Sequence, residues 1–392
     1  MSSKVSGWSV AFVACAVVVA TGLSGHAATA EPAPTQQQLA DLIAEGLKDP
    51  AAKPIVGTGS ACTSGSGAGS GNGSGDCLGG SGSSSGSSGG YASDTVGFGP
   101  HQTSGLAAFG YGLLNPEAAP AGANDWNCKP TERNPEPVVL LHGTWSNAYL
   151  NFAYMAQPLH DAGHCVFTLN YGQAGLVDGG GVGSALPSVN ATGYIEESAA
   201  QIANFVDRVL VATGASKVNL VGHSQGGTVG RQYLKFNGGA EKVQQMITLG
   251  ATNHGTTLLG IAALGRAINN MGIDILGFQE IFIGHAGIQQ TVGSDFINRL
   301  NAGGDTMPGV DYTVVGSRWD QVSTPYDQTF LTAGPGATVR NVTLQDGCEQ
   351  DLSGHITMVY SPRVLSIVLN AFDPEQTPAL ACTFQPWLLS GV

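Results

Sequence analysis

Charged side chains are scarce in this sequence. Only 11% of the 392 residues are charged, and 15 lysines and arginines stand against 28 aspartates and glutamates, so the formal net charge is −13. So few cations provide no basic surface for a phosphate backbone, which argues against nucleic acid as a partner. The hydrophobic fraction is an ordinary 42%. Disorder of the whole chain is therefore not expected, because it requires low hydrophobicity together with a high charge density.

Several binding motifs are also missing. The sequence has no Cys-x-x-Cys pair, no cluster of residues with metal-ligand spacing, no phosphate-binding glycine loop before a helix, and no dinucleotide fingerprint. We therefore expect no cofactor and no catalytic metal. A structural calcium ion is left open by the sequence.

The apolar run near the start is too short to span a bilayer, which takes about 20 residues. It extends from Trp8 to Leu23, follows Lys4, and precedes the small residues Ala28-Thr29-Ala30. This order is typical of a signal peptide with an Ala-x-Ala cleavage site. We predict a signal peptide over residues 1–30, a secreted or cell-surface protein, and no transmembrane segment in the mature chain; the alternative is an uncleaved anchor.

Export determines how the cysteines are interpreted. Cys15 leaves with the signal peptide, and an even number of cysteines in an oxidising compartment predicts three disulfides, with sequential pairing as the simplest connectivity. The remaining cysteines are Cys62, Cys77, Cys128, Cys165, Cys348 and Cys382.

The composition changes along the chain and suggests three further regions. Residues 31–56 include a short amphipathic pattern and are predicted as an N-terminal helical segment. Residues 57–92 consist largely of glycine and serine, cannot build a core, and are predicted as a linker. Residues 93–392 are predicted as the globular domain.

The globular region alternates short apolar runs with amphipathic stretches. The stripe of apolar residues from Ile195 to Thr213 predicts a helix that ends at Gly214. Continuous apolar strands with helices between them predict an α/β fold, with a mostly parallel central sheet and helices on both faces. The predicted strands are Pro137–Leu141, Cys165–Asn170, Val218–Val221, Met246–Leu249, Tyr312–Val315 and Val339–Leu344.

The third predicted strand runs directly into Gly222-His223-Ser224-Gln225-Gly226. This is a Gly-x-Ser-x-Gly pattern in the strand-to-helix context in which a serine projects its Oγ above the sheet from a sharp turn. Serines such as Ser66 have similar neighbours in the linker but lack that context. Ser224 is therefore the predicted nucleophile.

A nucleophilic serine needs a base and an orienting acid, which follow it in this order in such folds. His355 is the predicted base, because it lies between the last strand and a final helix that starts at Ser361-Pro362. His285 lies in an apolar stretch away from any strand end. His254 comes too early to leave room for an acid before it.

Asp320 is the predicted acid, because it falls just after the strand Tyr312–Val315 and Pro325 prevents that segment from continuing as a central strand. Four other carboxylates are alternatives: Asp311, Asp327, Asp346 and Asp351.

The oxyanion donors are predicted as the backbone N–H groups of Gln225, after the nucleophile, and of Thr144, in the loop after the first strand. Gly143 is expected to let the backbone turn so that the Thr144 N–H faces the substrate. His142 is expected to be a structural hydrogen-bonding residue rather than a base.

With these motifs in place, the sequence resembles the class 2 lipase family of secreted bacterial α/β-hydrolases. The matching segments cover roughly 124–382: Val138 to Thr144, Val221 to Gly227, Ala251 to Thr256, Trp319-Asp320 with Thr324-Pro325-Tyr326, and the stretch around His355. The resemblance implies hydrolysis of lipid carboxylic esters by Ser224, His355 and Asp320. It also implies the disulfides Cys128–Cys165 and Cys348–Cys382.

The substrate is then expected to be a lipid or another ester, met at a lipid–water interface; the oligomeric state is left open. Leu258 to Phe296 is rich in apolar residues and glycine, so it is either a mobile cap over Ser224 or a permanently packed insertion. Alternative activities with the same triad are those of a short-chain esterase, a thioesterase, a polyester hydrolase or a cell-envelope acyltransferase. A remote alternative is a non-catalytic surface binding module.

Overall fold

The computed structural model describes residues 96–175, 178–181, 184, 189–257 and 284–387. The predicted signal peptide, the N-terminal helical segment and the linker lie outside the described residues, as do Cys62 and Cys77. Residues 258–283 of the cap stretch also lie outside them, whereas its described end places Ala286 and Phe296 in the core.

A six-stranded parallel sheet forms the centre of the described region. Its spatial order is β2-β1-β3-β4-β5-β6, and all five strand pairings are parallel. The α/β class and the parallel sheet predicted from the apolar runs are therefore confirmed. The strands are β1 (Val138–Leu141), β2 (Val166–Thr168), β3 (Val218–His223), β4 (Val243–Leu249), β5 (Asp311–Gly316) and β6 (Thr338–Thr343).

The observed strands differ from the predicted ones mainly at their ends. β2 is shorter than predicted, because Leu169 and Asn170 leave the ladder with β1 after Thr168. β4 begins three residues earlier than predicted, at Val243, where the polar Gln244 and Gln245 interrupt the apolar run but still continue the strand. The β3 strand continues through Gly222 to His223, so Ser224 follows its last residue.

Helices cover both faces of the sheet. Alternate residues of β1 point to opposite faces: Val139 and Leu141 join one core, and Val138 and Leu140 join the other. The first core includes helices α4 (Ile195–Thr213), α5 (Gln225–Phe236) and α6 (Asp295–Asn301). The second includes α1 (Gly105–Leu114), α2 (Ala148–Phe152), α3 (Ala156–Asp161) and α7 (Pro362–Phe372).

Two helix boundaries follow the sequence signals closely. The α4 helix ends at Gly214, which takes the left-handed conformation at φ 77°. The α7 helix begins at Pro362, and the Ser361 side chain accepts hydrogen bonds from the backbone N–H groups of Arg363 and Val364.

The α1 helix was not predicted from the sequence. Its ten residues, GLAAFGYGLL, contain three glycines and no charged residue. Ser104 caps its first turn by accepting from the Ala107 N–H, and Tyr111 packs against Tyr149 with ring centroids 4.8 Å apart. The helix is therefore held by its cap and by tertiary packing more than by helix propensity.

Two disulfides link Cys128 to Cys165 and Cys348 to Cys382. Both pairs agree with the pairing that the family resemblance implies. The first joins the segment before β1 to the start of β2. The second joins the loop after β6 to the segment that follows α7.

Candidate active site

The loops that carry the predicted site residues meet at the carboxyl edge of the sheet. Ser224 follows β3, Asp320 lies in the loop after β5, and His355 lies in the loop between β6 and α7. Parallel strands present all their carboxyl ends at one edge, which is where open α/β sheets place their ligands. The parallel order therefore gathers residues that are 131 positions apart in the chain, as 355 less 224 gives.

Ser224 occupies a sharp turn between β3 and α5. Its backbone angles are φ 55° and ψ −125°, an uncommon conformation for a residue with a side chain. A Cβ on Gly222 would come within 2.4 Å of the Gly226 backbone, and one on Gly226 would come within 2.0 Å of the Leu141 carbonyl oxygen. The two glycines of the motif are thus required for close approach of strand and helix.

Asp320 and His355 form a buried hydrogen-bonded pair. The Asp320 Oδ2 atom lies 2.8 Å from His355 Nδ1, and their side chains are 1% and 6% exposed. The other carboxylate oxygen, Oδ1, accepts from the backbone N–H groups of Val322 at 2.8 Å and Ser323 at 2.7 Å. Since the carboxylate is held on both sides, it fixes the ring plane of His355 and directs the ring proton to Nδ1.

The loop that carries His355 is anchored by buried polar groups. The fully buried Asp351 accepts from the Ser361 hydroxyl at 2.6 Å and from the Ser353 N–H at 3.0 Å. The Gln345 side chain donates to the Asp351 carbonyl at 2.9 Å and to Ser317 Oγ at 3.0 Å. These contacts tie the loop to the N-terminus of α7 and to the end of β5.

The alternative acids have other surroundings. Asp351 has the structural partners just described, Asp346 forms a salt bridge with Arg318 at 2.5 Å, and Asp311 accepts from the Thr338 hydroxyl at 2.5 Å. Asp327 lies in the short 3₁₀ helix Tyr326–Thr329. Asp320 is the acid that the structure brings to His355.

The alternative bases are also engaged elsewhere. His254 Nδ1 lies 2.8 Å from the Gln328 carbonyl oxygen, and its Nε2 lies 3.1 Å from Asp305 Oδ1. His285 stacks on Tyr194 with ring centroids 4.1 Å apart. Neither lines the cavity that contains Ser224.

Gly143 is needed for space rather than for a turn. Its backbone does not adopt a positive φ, contrary to the reason expected from the sequence; the neighbouring Trp145 does, at φ 55°. A Cβ on Gly143 would lie only 3.0 Å from the Ser224 Cβ. Glycine at this position lets the loop after β1 approach the serine directly.

The Thr144 hydroxyl receives two hydrogen bonds that fix its direction. Gln225 Nε2 donates to it at 2.9 Å and Gln290 Nε2 donates at 2.8 Å. The same two amides also donate to the carbonyls of Ala191 and Ala286, which only accept, so their orientation is determined. Both lone pairs of the Thr144 hydroxyl are then occupied, and its hydrogen remains to donate toward the cavity that Thr144 lines.

His142 lies beside the site as a buried neutral ring. Its Nδ1 lies 2.9 Å from the Gly143 carbonyl oxygen, and its Nε2 receives the Tyr171 N–H at 3.4 Å. Burial lowers the pKa of His142 to about 4, and the hydrogen bond to Gly143 offsets only part of this lowering. A ring with both nitrogens engaged is suited to the structural role expected for it.

The sequence reading did not identify Asn151, His223 or Gln290. His223 was visible as part of the serine motif, but its contacts with Asn151 and with the His355 backbone join distant parts of the chain. Asn151 and Gln290 carry no local sequence signal at all. Their positions depend on which loops the sheet brings together.

Ser224 and His355 line a cavity of about 400 Å³. Its apolar wall comes from α1 and from the loop after β6, and none of the described lining residues is charged. Several of the apolar residues are also exposed to solvent, so they form a rim around the opening: Leu106, Phe109, Trp145 and Ile356.

The described residues contain no group of three or more potential metal ligands placed to hold an ion. Within the same ranges, none of the helices combines the length and apolar character needed to cross a bilayer.

The chain is similar to a known family profile and to several solved structures. A family profile described as the alpha/beta hydrolase fold matches residues 136–271. Among solved structures, Aspergillus fumigatus lipase B is 19% identical with a TM-score of 0.47, and the match covers 60% of this chain and 52% of that one. The chain thus spans about half the length of that lipase.

Two other similar structures are bacterial. A Bacillus licheniformis lipase in its mature form is 16% identical, with 62% of this chain and 94% of that one covered and a TM-score of 0.42. An esterase from Exiguobacterium antarcticum is 19% identical, with coverage of 60% and 91% and a TM-score of 0.39. The parallel sheet, the helices on both of its faces and the profile match across β1, β3 and β4 together identify the architecture as the α/β-hydrolase fold.

Proposed function

We propose that this protein is a secreted serine hydrolase that cleaves carboxylic esters of lipids. Ser224 is the nucleophile, His355 the base and Asp320 the orienting acid. The observation that carries the proposal is the buried Asp320–His355 pair, 2.8 Å between Oδ2 and Nδ1, in a chain whose His355 shares a cavity with Ser224. A hydrolase fold alone would not imply activity, but an assembled set of reacting groups supports it.

The reaction proceeds through an acyl-enzyme. Ser224 Oγ attacks the ester carbonyl carbon while His355 Nε2 takes the hydroxyl proton, and Asp320 stabilises the resulting imidazolium. The tetrahedral intermediate then expels the alcohol, which receives that proton from His355. Water, deprotonated by His355, attacks the acyl group, and the acid is released as Ser224 recovers its proton.

Three donors are available for the oxyanion. The backbone N–H of Gln225 lies at the N-terminus of α5, where helix N–H groups have no intrahelical partner. The Thr144 N–H is the second donor, as the sequence predicts. The Thr144 hydroxyl is the third, because its lone pairs are already taken by two glutamine amides.

The lining of the cavity favours an acyl chain. Apolar side chains from α1 and from the loop after β6 form its wall, and no charged side chain among the described residues lines it. The exposed fractions of Leu106 and Ile356 at its rim are 63% and 69%. An uncharged cavity with an apolar rim supports lipid esters met at an interface over small charged esters.

Membership of the class 2 lipase family and export belong to the same proposal. The two disulfides support export, because disulfides persist mainly in oxidising compartments. Cleavage after residue 30 is testable by sequencing the N-terminus of the protein recovered from culture medium.

The test is hydrolysis of p-nitrophenyl esters of increasing acyl length by the wild type and by Ser224→Ala. We expect Ser224→Ala to lose nearly all turnover while it keeps the wild-type melting temperature. Ser70→Ala, a serine of the glycine-rich linker, is the matched control and should retain full activity. Unchanged hydrolysis by Ser224→Ala would show that the nucleophile is wrong. A preference confined to the shortest esters would support the short-chain esterase alternative.

A further inference from the structure

A chain of three hydrogen bonds runs behind Ser224. The buried Asn151, on α2, accepts from the Gly143 N–H through Oδ1 at 2.6 Å. Its Nδ2 atom lies 3.0 Å from His223 Nδ1, and His223 Nε2 lies 2.9 Å from the backbone oxygen of His355. The chain therefore connects the loop beside the oxyanion donors with the main chain of the proposed base.

Each bond in this chain can have only one direction. The Gly143 N–H can only donate, so it fixes Oδ1 of Asn151 on its side and turns Nδ2 toward His223. Because that amide nitrogen donates, His223 Nδ1 must accept, and the ring proton must lie on Nε2. The carbonyl oxygen of His355 accepts that proton, so the three bonds are consistent with one another.

His223 must stay neutral for these three hydrogen bonds to persist. A proton on Nδ1 would face the Asn151 amide, which also donates. Burial lowers the pKa of His223 to about 3, with a further lowering from the nearby His355 ring. The two rings lie 4.9 Å apart between centroids. The three hydrogen bonds together form what we call the Asn151–His223 bridge. This bridge is therefore complete over the pH range in which a histidine acts as a base.

The bridge acts on a part of His355 that Asp320 does not hold. Asp320 fixes the ring through Nδ1, whereas two hydrogen bonds from described residues anchor the main chain of His355. These are the bond from His223 at 2.9 Å and a longer one from the His355 N–H to Gln321 Oε1 at 3.3 Å. His223 also directly precedes Ser224, so the nucleophile and the anchor of the base belong to one short backbone segment.

We propose that Asn151 and His223 are positioning residues that hold the backbone of His355 and the loop at Gly143 in a fixed relation to Ser224. The base and the oxyanion donors then act on the same carbonyl group. This inference rests on the proposed function, since it takes His355 as the base. Neither residue exchanges a proton with the substrate.

The test compares four single variants in the full-length protein. His223→Phe keeps a ring but removes both bonds, His223→Gln retains a donor at the position of Nε2, and Asn151→Leu removes the first half of the bridge. His164→Phe is the matched control, because His164 is another buried histidine but lies before the first residue of β2, at the opposite edge of the sheet. A covalent phosphonate titrant counts competent Ser224 sites, and kcat, KM and the melting temperature are measured for p-nitrophenyl butyrate.

We expect His223→Phe to lower kcat about 100-fold with KM within about twofold, which is the size of effect that a small misplacement of a reacting group produces. His223→Gln should recover about tenfold of that loss, and Asn151→Leu should lose about tenfold. The double variant His223→Phe with Asn151→Leu should be no slower than His223→Phe alone, because both changes break one chain. His164→Phe should keep the wild-type kcat.

Several results would overturn the inference. They are a wild-type kcat in folded His223→Phe, a glutamine variant no faster than the phenylalanine variant, or losses that multiply in the double variant. If His223→Phe does not fold, the kcat of Asn151→Leu becomes the test. A wild-type kcat in that variant would overturn the inference. Absence of Ser224-dependent hydrolysis in the wild type would instead overturn the proposed function.

Discussion

Hydrogen-bond directions organise the uncharged residues around Ser224. The Thr144 hydroxyl accepts from Gln225 and Gln290 and is left with a single hydrogen to donate. In the proposed reaction such a donor is aligned before the substrate binds, so it needs no reorientation when negative charge develops on the ester carbonyl oxygen. The donors and acceptors of the Asn151–His223 bridge are fixed in the same way.

Replacing Thr144 separates its hydroxyl from its backbone donor. Thr144→Val keeps the backbone N–H and the branched shape but removes the O–H, and we expect kcat to fall by about 100-fold, the usual size for one oxyanion donor. Thr144→Ser retains the hydroxyl and should stay within a few fold of the wild type. Steady-state kinetics on a soluble ester measure both. Equal loss in the two variants would show that the effect is not specific to the hydroxyl, and a wild-type kcat in Thr144→Val would show that the hydroxyl does not contribute.

At the scale of helices and strands, an element could be predicted where its own sequence carries the signal, and it was missed where it depends on tertiary contacts. All six strands were located within a few residues, and the signal was clearest for β1, β2 and β3, which are buried along their whole length. The α1 helix was missed because its three glycines weaken the helical signal and its packing on Tyr149 is a tertiary contact. Ser224 had a local motif, whereas Gln290 reaches Thr144 across 146 residues and could not be located from sequence.

The α1 helix also contributes a wall of the proposed acyl site. Phe109 lines the cavity and is 48% exposed, so its truncation should remove contact with long chains more than with short ones. We expect Phe109→Ala to lower kcat/KM for a dodecanoate ester about tenfold relative to a butyrate ester, the equivalent of ~1.4 kcal/mol of lost apolar contact. Leu114→Ala, on the same helix but outside the cavity lining, should leave this ratio unchanged. The ratio itself is the measurement, and a constant ratio in Phe109→Ala would rule out this wall.

The two disulfides lie in different parts of the fold but close loops of nearly equal length, so the effects of removing them can be compared. They close loops of 34 and 37 residues, so removing either should cost about 4 kcal/mol of stability in the chain-entropy treatment. Only Cys348–Cys382 encloses His355. We expect Cys348→Ala with Cys382→Ala to lower kcat under conditions where the protein is still folded. Cys128→Ala with Cys165→Ala should lower the melting temperature alone. Parallel loss of turnover in both variants would argue against a role in holding the base.

For the whole molecule, buried neutral histidines set the acid limit of stability. Burial lowers the pKa of His142 and His164 to about 4 and that of His223 to about 3, from an ordinary value of 6.5. At pH values between the lowered pKa values and 6.5, these histidines bind protons in the unfolded chain but stay neutral in the folded protein. Stability is therefore full above about pH 6.5 and is lost as the pH falls toward 4.

Urea unfolding at pH 7 and pH 5 measures this loss. We expect each of the three histidines to contribute up to about 2 kcal/mol of destabilisation across that interval. His164→Phe should reduce the loss by about the share of one histidine, since phenylalanine has no proton to gain. An identical pH dependence in the variant would show that His164 does not limit acid stability.

The order of the strands also sets when activity can exist during biosynthesis. The proposed site takes its parts from the loops after β1, β3, β5 and β6, so the last of them, His355, is translated only after all six strands of the sheet. A chain that stops before His355 therefore lacks the proposed base, even when it contains the whole sheet and the proposed nucleophile. The proposed activity thus requires synthesis to pass the last strand of the sheet.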